Sequence, residues 1–236
     1  SGSGSVNDIR ILPDGGHAVV TFVLSRFHLP TEQVERGWIN ANAMAIIAVD
    51  RMQVLDTVLL DAVDRGAANP WGAAWSADGR RLVVALAGTH EVSVTDFPAL
   101  IEKLNRDQPS PEMAAALALP YGTRGLAAAP ATAAHDLSFL DGLRERRSLP
   151  EGDLGPRAVM VVGNKICTAN YFSDTLSVIA LDGADPKLET LPLGPRPRPS
   201  PARLGELFFN DARLCHQGWQ SCASCHPGDA RVDGLN

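Results

Sequence analysis

The sequence predicts an all-β fold built from repeated four-stranded antiparallel sheets. Three segments share one design, a short strand, a tight turn and a second strand rich in β-branched residues, and they cover residues 6–24, 69–96 and 155–183. The chain has 236 residues, of which 45% are apolar and 20% charged, so it can bury a substantial core.

Each repeated segment carries its own turn signal. The turns are Asp14-Gly15, Asp78-Gly79 and Gly163-Asn164, and all three supply residues that tolerate a positive φ. The second and third segments continue through another turn into a third strand. A fourth strand is predicted in each unit, at residues 53–61, 144–150 and 187–193.

Two insertions account for the irregular spacing of the repeats. The first covers residues 25–42. The second covers about 97–143, where 97–107 and 134–146 have helix-like apolar spacing and 114–134 is a low-complexity loop rich in Ala, Pro and Gly.

Four antiparallel strands per unit, repeated along the chain, are typical of β-propeller blades. At residues 76–96 (SADGRRLVVALAGTHEVSVTD) and 163–183 (GNKICTANYFSDTLSVIALDG) the chain resembles the bacterial YVTN-type β-propellers, a seven-bladed family of periplasmic and surface proteins. The resemblance covers about residues 6–193. Three blades cannot close a ring that needs four to eight, so we expect an open arc that other parts of a larger chain or another subunit complete.

Aromatic residues in the blades are predicted to lie in the core between them, because aromatic side chains at strand positions bury large apolar areas. They are Trp71, Trp75, Tyr171 and Phe172. His17 follows a turn and is predicted to face solvent.

The composition of the sequence changes after Leu193. Residues 194–203 contain four prolines in ten positions, which indicates an extended linker between domains. Residues 204–236 are predicted to be mostly loop after a short helix at about 203–209.

The motif Cys222-Ala-Ser-Cys225-His226 is the candidate cofactor-binding or metal-binding site of the chain. Two thiols at this spacing can reach the two vinyl groups of one porphyrin, and the histidine that follows can reach the iron, so the string favours covalent haem attachment. Two alternatives stay open. One is a zinc site from Cys215, Cys222, Cys225 and either His216 or His226, and the other is a set of simple thiols or disulfides.

The flanks of this string, residues 203–234 (RLGELFFNDARLCHQGWQSCASCHPGDARVDG), resemble the first haem segment of the bacterial dihaem cytochrome c peroxidase family. The resemblance implies the N-terminal part of a mainly α-helical cytochrome c domain at 204–236. It implies covalent haem c on Cys222 and Cys225, iron bound by His226, and Phe208 and Phe209 packed on the haem. The four methionines, Met44, Met52, Met113 and Met160, precede this segment and are poor candidates for a sixth iron ligand.

Two cysteines outside this string leave alternatives open. A Cys167–Cys215 disulfide could join the propeller to the cytochrome segment, or Cys167 could be a small buried apolar residue. His216 could be a distal ligand or an exposed side chain.

Together these patterns predict an exported haem c protein for electron transfer, in the periplasm or on the cell surface, with the propeller as a binding platform and a redox protein as partner. Peroxidase- or oxidase-like activity is implied only by the resemblance. The alternative is a non-catalytic propeller scaffold whose C-terminal Cys/His segment holds no haem. The net charge of −6 gives no case for nucleic acid as a partner, and no apolar run is long enough to span a membrane.

Overall fold

The computed structural model describes residues 2–25, 39–107, 133–183, 188–195 and 198–230. Most of the two predicted insertions, part of the proline-rich linker, Met113 and the last six residues lie outside this part of the chain.

Twelve strands form three four-stranded antiparallel sheets, and each sheet follows chain order. Blade 1 contains β1 (Gly2–Ile11), β2 (His17–Ser25), β3 (Asn40–Ala48) and β4 (Gln53–Leu59). Blade 2 contains β5 (Pro70–Trp75), β6 (Arg81–Leu86), β7 (Glu91–Asp96) and β8 (Arg144–Ser148). Blade 3 contains β9 (Pro156–Val162), β10 (Lys165–Asn170), β11 (Thr175–Ala180) and β12 (Leu188–Pro192).

The all-β prediction and the three-blade count are confirmed, and the predicted turns join the first two strands of each blade. Gly15, Gly79 and Gly163 all have positive φ, as these turns require. A Gly/Ser-rich start such as residues 1–5 is typical of a flexible linker. Residues 2–4 nevertheless pair with residues 23–25 of β2, and the register shifts between Gly4 and Asp8.

The first strands of the blades lie side by side, because β5 contacts both β1 and β9. The approach is close at Gly72 in β5, where a Cβ atom would lie 2.7 Å from the backbone oxygen of Arg157 in β9. Any larger residue at position 72 would push these two strands apart.

The main apolar core fills the junction between blades 1 and 2. Alternate residues of β6 face opposite sides of the sheet, so Leu82 and Val84 pack toward Met44 and Ile46 of blade 1. Val83 packs into a second core between blades 2 and 3. The fold is therefore stabilised chiefly between blades.

Four α-helices lie in the described residues: α1 (Phe97–Arg106), α2 (Pro201–Asn210), α3 (Cys222–Cys225) and α4 (Pro227–Ala230). Short 3-10 helices occur at Ala133–His135, Ala212–Leu214 and His216–Gly218. The α-helix predicted for 134–146 is wrong, since this stretch begins in the 3-10 helix Ala133–His135, continues through turns and ends in β8. Among the described residues no helix is both long and apolar enough to cross a membrane.

Candidate functional site

The described C-terminal residues 198–230, here called the docked segment, lie across one end of the three blades. The backbone N–H of Ala212 donates to Gly88 O at 2.9 Å, which joins the segment to blade 2. The N–H of Gly66, in the connection between blades 1 and 2, donates to Gln217 O at 2.9 Å. Backbone bonds in both directions therefore fix the segment on the propeller.

Gly66 permits the closest approach in this contact. A Cβ atom on Gly66 would lie 2.2 Å from the Cα of Trp219. The Trp219 side chain is itself buried, with 4% of its surface exposed. The contact between the blades and the docked segment is therefore as tight as a protein core.

A buried carboxylate organises the same junction. Asp61 is fully buried and accepts hydrogen bonds from the backbone N–H and Nδ2 of Asn42 and from the N–H of Ala67. Burial raises the pKa of Asp61 to about 6, although these hydrogen bonds act in the opposite direction. Asn42 also donates from Nδ2 to Trp219 O at 3.0 Å, so the Asp61 network reaches the docked segment.

Asn69 positions the start of α3. Its Nδ2 donates to Ser221 Oγ at 2.7 Å, and its Oδ1 accepts from Ser224 Oγ at 2.8 Å. Ser221 and Ser224 also form a capping box at the N-terminus of α3. The cysteine-bearing turn is thus bonded directly to the first residues of blade 2.

His90 joins blades 2 and 3 to the docked segment. Its Nδ1 accepts from the N–H of Gly155 at 2.8 Å, which leaves the proton on Nε2. Nε2 lies 3.3 Å from Asp211 Oδ1, although the alignment falls short of a hydrogen bond. Burial and the nearby Arg213 both lower the pKa of His90, so it is a neutral ring at pH 7.

The three cysteines of the docked segment differ in exposure. Cys222 is exposed, whereas Cys215 and Cys225 are half-buried. Cys225 accepts a hydrogen bond at 2.9 Å from Nδ2 of Asn40 in blade 1. Burial raises the pKa of Cys225, the Asn40 bond lowers it, and the neighbouring Cys222 and Cys215 raise it further.

All four cysteines are free thiols, so Cys167 and Cys215 form no disulfide in this structure. Cys167 lies half-buried on β10, opposite Met160 of β9. Within the described ranges, no group of three or more His, Cys, Asp or Glu side chains is placed to hold a metal ion. This geometry gives the zinc alternative no support.

A cleft of about 880 Å³ opens between the docked segment and the ends of the blades, and His226 lines it. Phe209 lines it too, with its ring centroid 6.5 Å from that of His226. Phe208 is 53% exposed and is not among the residues that line the cleft. Of the two predicted phenylalanines, Phe209 therefore lies in the cleft with His226 and Phe208 does not.

Two buried nitrogen atoms of the cleft residues have no hydrogen-bond partner. They are Nδ1 of His226 and Nε of Arg157, at the start of β9. Neither atom has exposed surface of its own, so the cleft is a candidate ligand site because of its size and its mixed polar and aromatic lining.

The prediction that four blade aromatics lie in the core is wrong for most of them. Only Trp75 packs against the core of blades 1 and 2, with its ring 4.6 Å from Phe97. The guanidinium of Arg157 is instead surrounded by Trp71, Tyr171 and Phe172.

His17 is half-buried with its ring edge on Phe97, and so does not simply face solvent as predicted. His216 is exposed.

Sequence reasoning missed the residues by which the blades hold this segment. Asn40, Asn69 and Arg157 belong to no motif, and each becomes informative only when its blade is placed beside the docked segment. The only sequence signal is that Asn40 and Asn69 stand at the starts of strands, where side chains meet one end of a propeller.

The chain is similar in sequence and in fold to a subunit of hydrazine synthase. Over 179 residues the sequence is 27% identical to hydrazine synthase subunit beta of Kuenenia stuttgartiensis, and the match covers 75% of this chain and 41% of that protein. A chain in the solved structure of Kuenenia stuttgartiensis hydrazine synthase matches with a TM-score of 0.61 and 24% identity, over 75% of this chain and 46% of that one. The three four-stranded blades of this chain therefore belong to a β-propeller fold.

A weaker likeness is to the β-propeller domain of Cps50 (Swd1) from Myceliophteria thermophila, with a TM-score of 0.45 and 14% identity, over 83% of this chain and 41% of that one. The propeller described here spans less than half of either hydrazine synthase chain it matches. No protein-family model matches the sequence.

Proposed function

We propose that this propeller is a scaffold that holds a Cys-x-x-Cys-His segment in a fixed position within a larger assembly. The observation that carries the proposal is the docking of residues 198–230 across one end of all three blades. Blade 1 contributes Asn40 and Asn42, blade 2 contributes Asn69 and His90, and Tyr171 next to blade 3 bonds to Arg203 of α2.

Asn69→Gly tests this scaffold role. Asn69 has a φ of 56°, so glycine removes the side chain without straining the backbone. We expect the variant to free the turn at Ser221, and limited trypsin digestion after the exposed Arg213 to run several-fold faster than in the wild type. Asp174→Gly, at another residue with positive φ (52°), is the matched control. Equal cleavage rates in Asn69→Gly and wild type would contradict the proposal.

An exposed apolar face on blade 3 supports a place in an assembly. Met160 and Val162 of β9 are each 54% exposed, and Leu191 of β12 is 49% exposed on the same face. A patch of this kind marks an interaction surface. We propose that it receives another β-sheet, from a further part of a longer chain or from another subunit, as the "subunit beta" of the relative's name suggests.

Sedimentation velocity tests this surface. The isolated chain should associate as its concentration rises, and Met160→Lys should weaken that association several-fold. A Met160→Lys variant that associates as strongly as the wild type would argue against the surface.

A second candidate function is haem-based electron transfer, and the cleft favours it. Cys222 is exposed, the unpartnered Nδ1 of His226 is buried, and the cleft size suits a cofactor. In this candidate Cys222 and Cys225 would be the attachment points of haem c and His226 its iron ligand, although of these three residues only His226 lines the cleft. Each thiol would add across one vinyl group of the porphyrin, so that an S–C bond would form and the thiol hydrogen would move to the vinyl carbon.

A haem held there would supply one-electron chemistry, with its potential set by axial ligation and burial. The role of the chain is to orient the attachment points, through Asn69 on α3 and Asn40 on Cys225. Such attachment takes place outside the cytoplasm, so this candidate implies export to the periplasm or cell surface and a redox protein as partner.

Intact-mass analysis of protein matured in a periplasm competent for cytochrome c tests this candidate. We expect one haem mass on the peptide that contains Cys222 and Cys225, and none after both are replaced by serine. His226→Ala should keep the added mass but shift the absorption spectrum, because an axial ligand is lost. A wild-type peptide without added mass would refute haem attachment and leave the scaffold role standing.

A further inference from the structure

Helix α2 forms one wall of the cleft without being part of the core. Four of its residues line the cleft: Gly205, Glu206, Phe209 and Asn210. The helix contacts α3, but none of its residues is buried. Within the described ranges, no backbone hydrogen bond joins residues 201–210 to a strand. Movement of α2 would therefore disrupt neither core packing nor a sheet.

The two ends of α2 differ in how they are held. After the helix, Asp211 has an extended backbone (φ −86°, ψ 107°), and the next N–H, that of Ala212, donates to Gly88 O at 2.9 Å. Before the helix, residues 193–195 and 198–200 are all exposed. Asp211 thus stands where a loosely held element meets a fixed one, and hinge residues occur at such positions.

The side of α2 that faces blade 3 meets it at one tyrosine. The Cζ of Arg203 in α2 lies 4.2 Å from the ring centroid of Tyr171, and the Cζ of Arg157 in β9 lies 3.7 Å from the same centroid. Arg203 also donates to the backbone oxygen of Tyr171. Both guanidinium groups are attracted to the ring, so Tyr171 joins the helix to the blade.

Glu206 balances the charge of this contact. It accepts a hydrogen bond from Arg203 at 2.7 Å. Burial acts to raise the pKa of Glu206, but the hydrogen bonds from Arg203 and Tyr171 lower it. The charge of Arg157 lowers it as well, and the pKa lies below its ordinary value. Because Tyr171 is 40% exposed, water can replace these contacts when the helix moves away.

We propose that α2 is a lid over the cleft, which turns about Asp211 and is held shut where Tyr171 contacts Arg203 and Arg157. In the closed form described here, the ring centroid of Phe209 lies 6.5 Å from that of His226. Opening the lid takes Phe209 away and exposes His226 to a molecule that enters the cleft. The lid depends on neither function proposed above, because residues 211–230 stay docked while α2 moves.

Hydrogen exchange of the α2 amides tests how the lid is held. Tyr171→Ala removes the ring that both guanidinium groups contact, so the amides of residues 205–210 should exchange at least tenfold faster than in the wild type. The amides of Ala212 and Val83 should keep their rates. Tyr171→Phe keeps the ring and should retain most of the protection. Leu188→Ala, at a residue of similar exposure (44%) in β12 of the same blade, is the matched control.

Labelling with diethyl pyrocarbonate tests whether the lid controls access to the cleft. Tyr171→Ala should raise the labelling rate of His226 several-fold, because His226 lines the cleft that α2 covers. His216 is exposed in the same docked segment and should be labelled at the same rate in both proteins. Mass spectrometry of the digested protein measures the two histidines separately.

Three results would overturn the lid. Unchanged exchange of α2 in Tyr171→Ala would show that the ring does not hold the helix. Faster exchange with unchanged labelling of His226 would show that the helix moves without opening the cleft. An equal increase at Ala212 would mean that the segment opens as one piece rather than at Asp211. If Tyr171→Ala fails to fold by circular dichroism, Arg203→Gln decides, because it removes the same contact from α2 and should give the same two increases.

Discussion

Helices α1 and α2 have the same length and opposite roles. Each has ten residues, a proline in its first turn and a polar N-cap, Asp96 in α1 and Ser200 in α2. α1 buries Phe97, Leu100 and Leu104 against the core of blades 1 and 2, whereas α2 buries none of its residues. The first helix is part of the core, and the second is held on the surface by polar contacts.

This difference shows how the molecule separates folding from function. The blades and α1 are stabilised by apolar burial, which is insensitive to the details of a bound ligand. The docked segment is held by hydrogen bonds, tight glycine contacts and arginine–aromatic contacts, and it leaves Leu204 and Phe208 of α2 exposed. We therefore expect equivalent changes in the two regions to have very different effects.

The largest expected effect comes from truncating matched apolar residues in the two helices. Leu100 is fully buried and Phe208 is 53% exposed. Leu100→Ala should lower the free energy of unfolding by about 2–5 kcal/mol, whereas Phe208→Ala should change it by less than ~0.5 kcal/mol. Urea denaturation followed by tryptophan fluorescence measures both. Equal losses would show that α2 is a core element after all.

The second prediction concerns the buried carboxylate at the edge between the two regions. Because the folded pKa of Asp61, about 6, exceeds its ordinary 3.8, the folded chain binds this proton more tightly than the unfolded chain does. The free energy of unfolding should therefore rise as pH falls from about 6 to about 4, by roughly 3 kcal/mol from this group.

Asp61→Asn should reduce the slope of the free energy of unfolding against pH between about 4 and about 6. Urea unfolding at several pH values measures this slope. Part of the slope should remain, because burial also raises the pKa of Asp56 to about 6. The exposed Asp50→Asn serves as the control and should keep the full slope. An unchanged slope in Asp61→Asn would mean that another group is responsible.

The smallest expected effect is a gain within α2. Gly205 lies inside this helix, and a Cβ atom there would meet nothing within 4 Å. Gly205→Ala should stabilise α2 by about 0.5–1 kcal/mol, seen as slower hydrogen exchange of its amides with little change in global stability. Faster exchange would show that an unseen contact needs the glycine.

The same contrast explains what the sequence could predict. Strand alternation around Leu82 and Val83, and the turns at Gly15, Gly79 and Gly163, are local signals, so three blades were predictable. The packing of Tyr171 and Trp71 around Arg157 joins positions far apart in the chain, and no local pattern encodes it. Cys222, Cys225 and His226 were recognisable as a motif, but the bond from Asn40 to Cys225 depends on how blade 1 meets the docked segment.

Hydrogen exchange at the contact between the regions tests the central claim most directly. The amides of Ala212 and Gly66 donate across it, to Gly88 O and Gln217 O. Both amides should exchange slowly in the wild type, close to the rates of the blade strands. In Gly66→Ala, where the new Cβ would overlap Trp219, the Ala212 amide should exchange at least tenfold faster while the amide of Val83 stays protected. Rapid exchange of Ala212 in the wild type, or no change in the variant, would contradict a docked segment held by the blades.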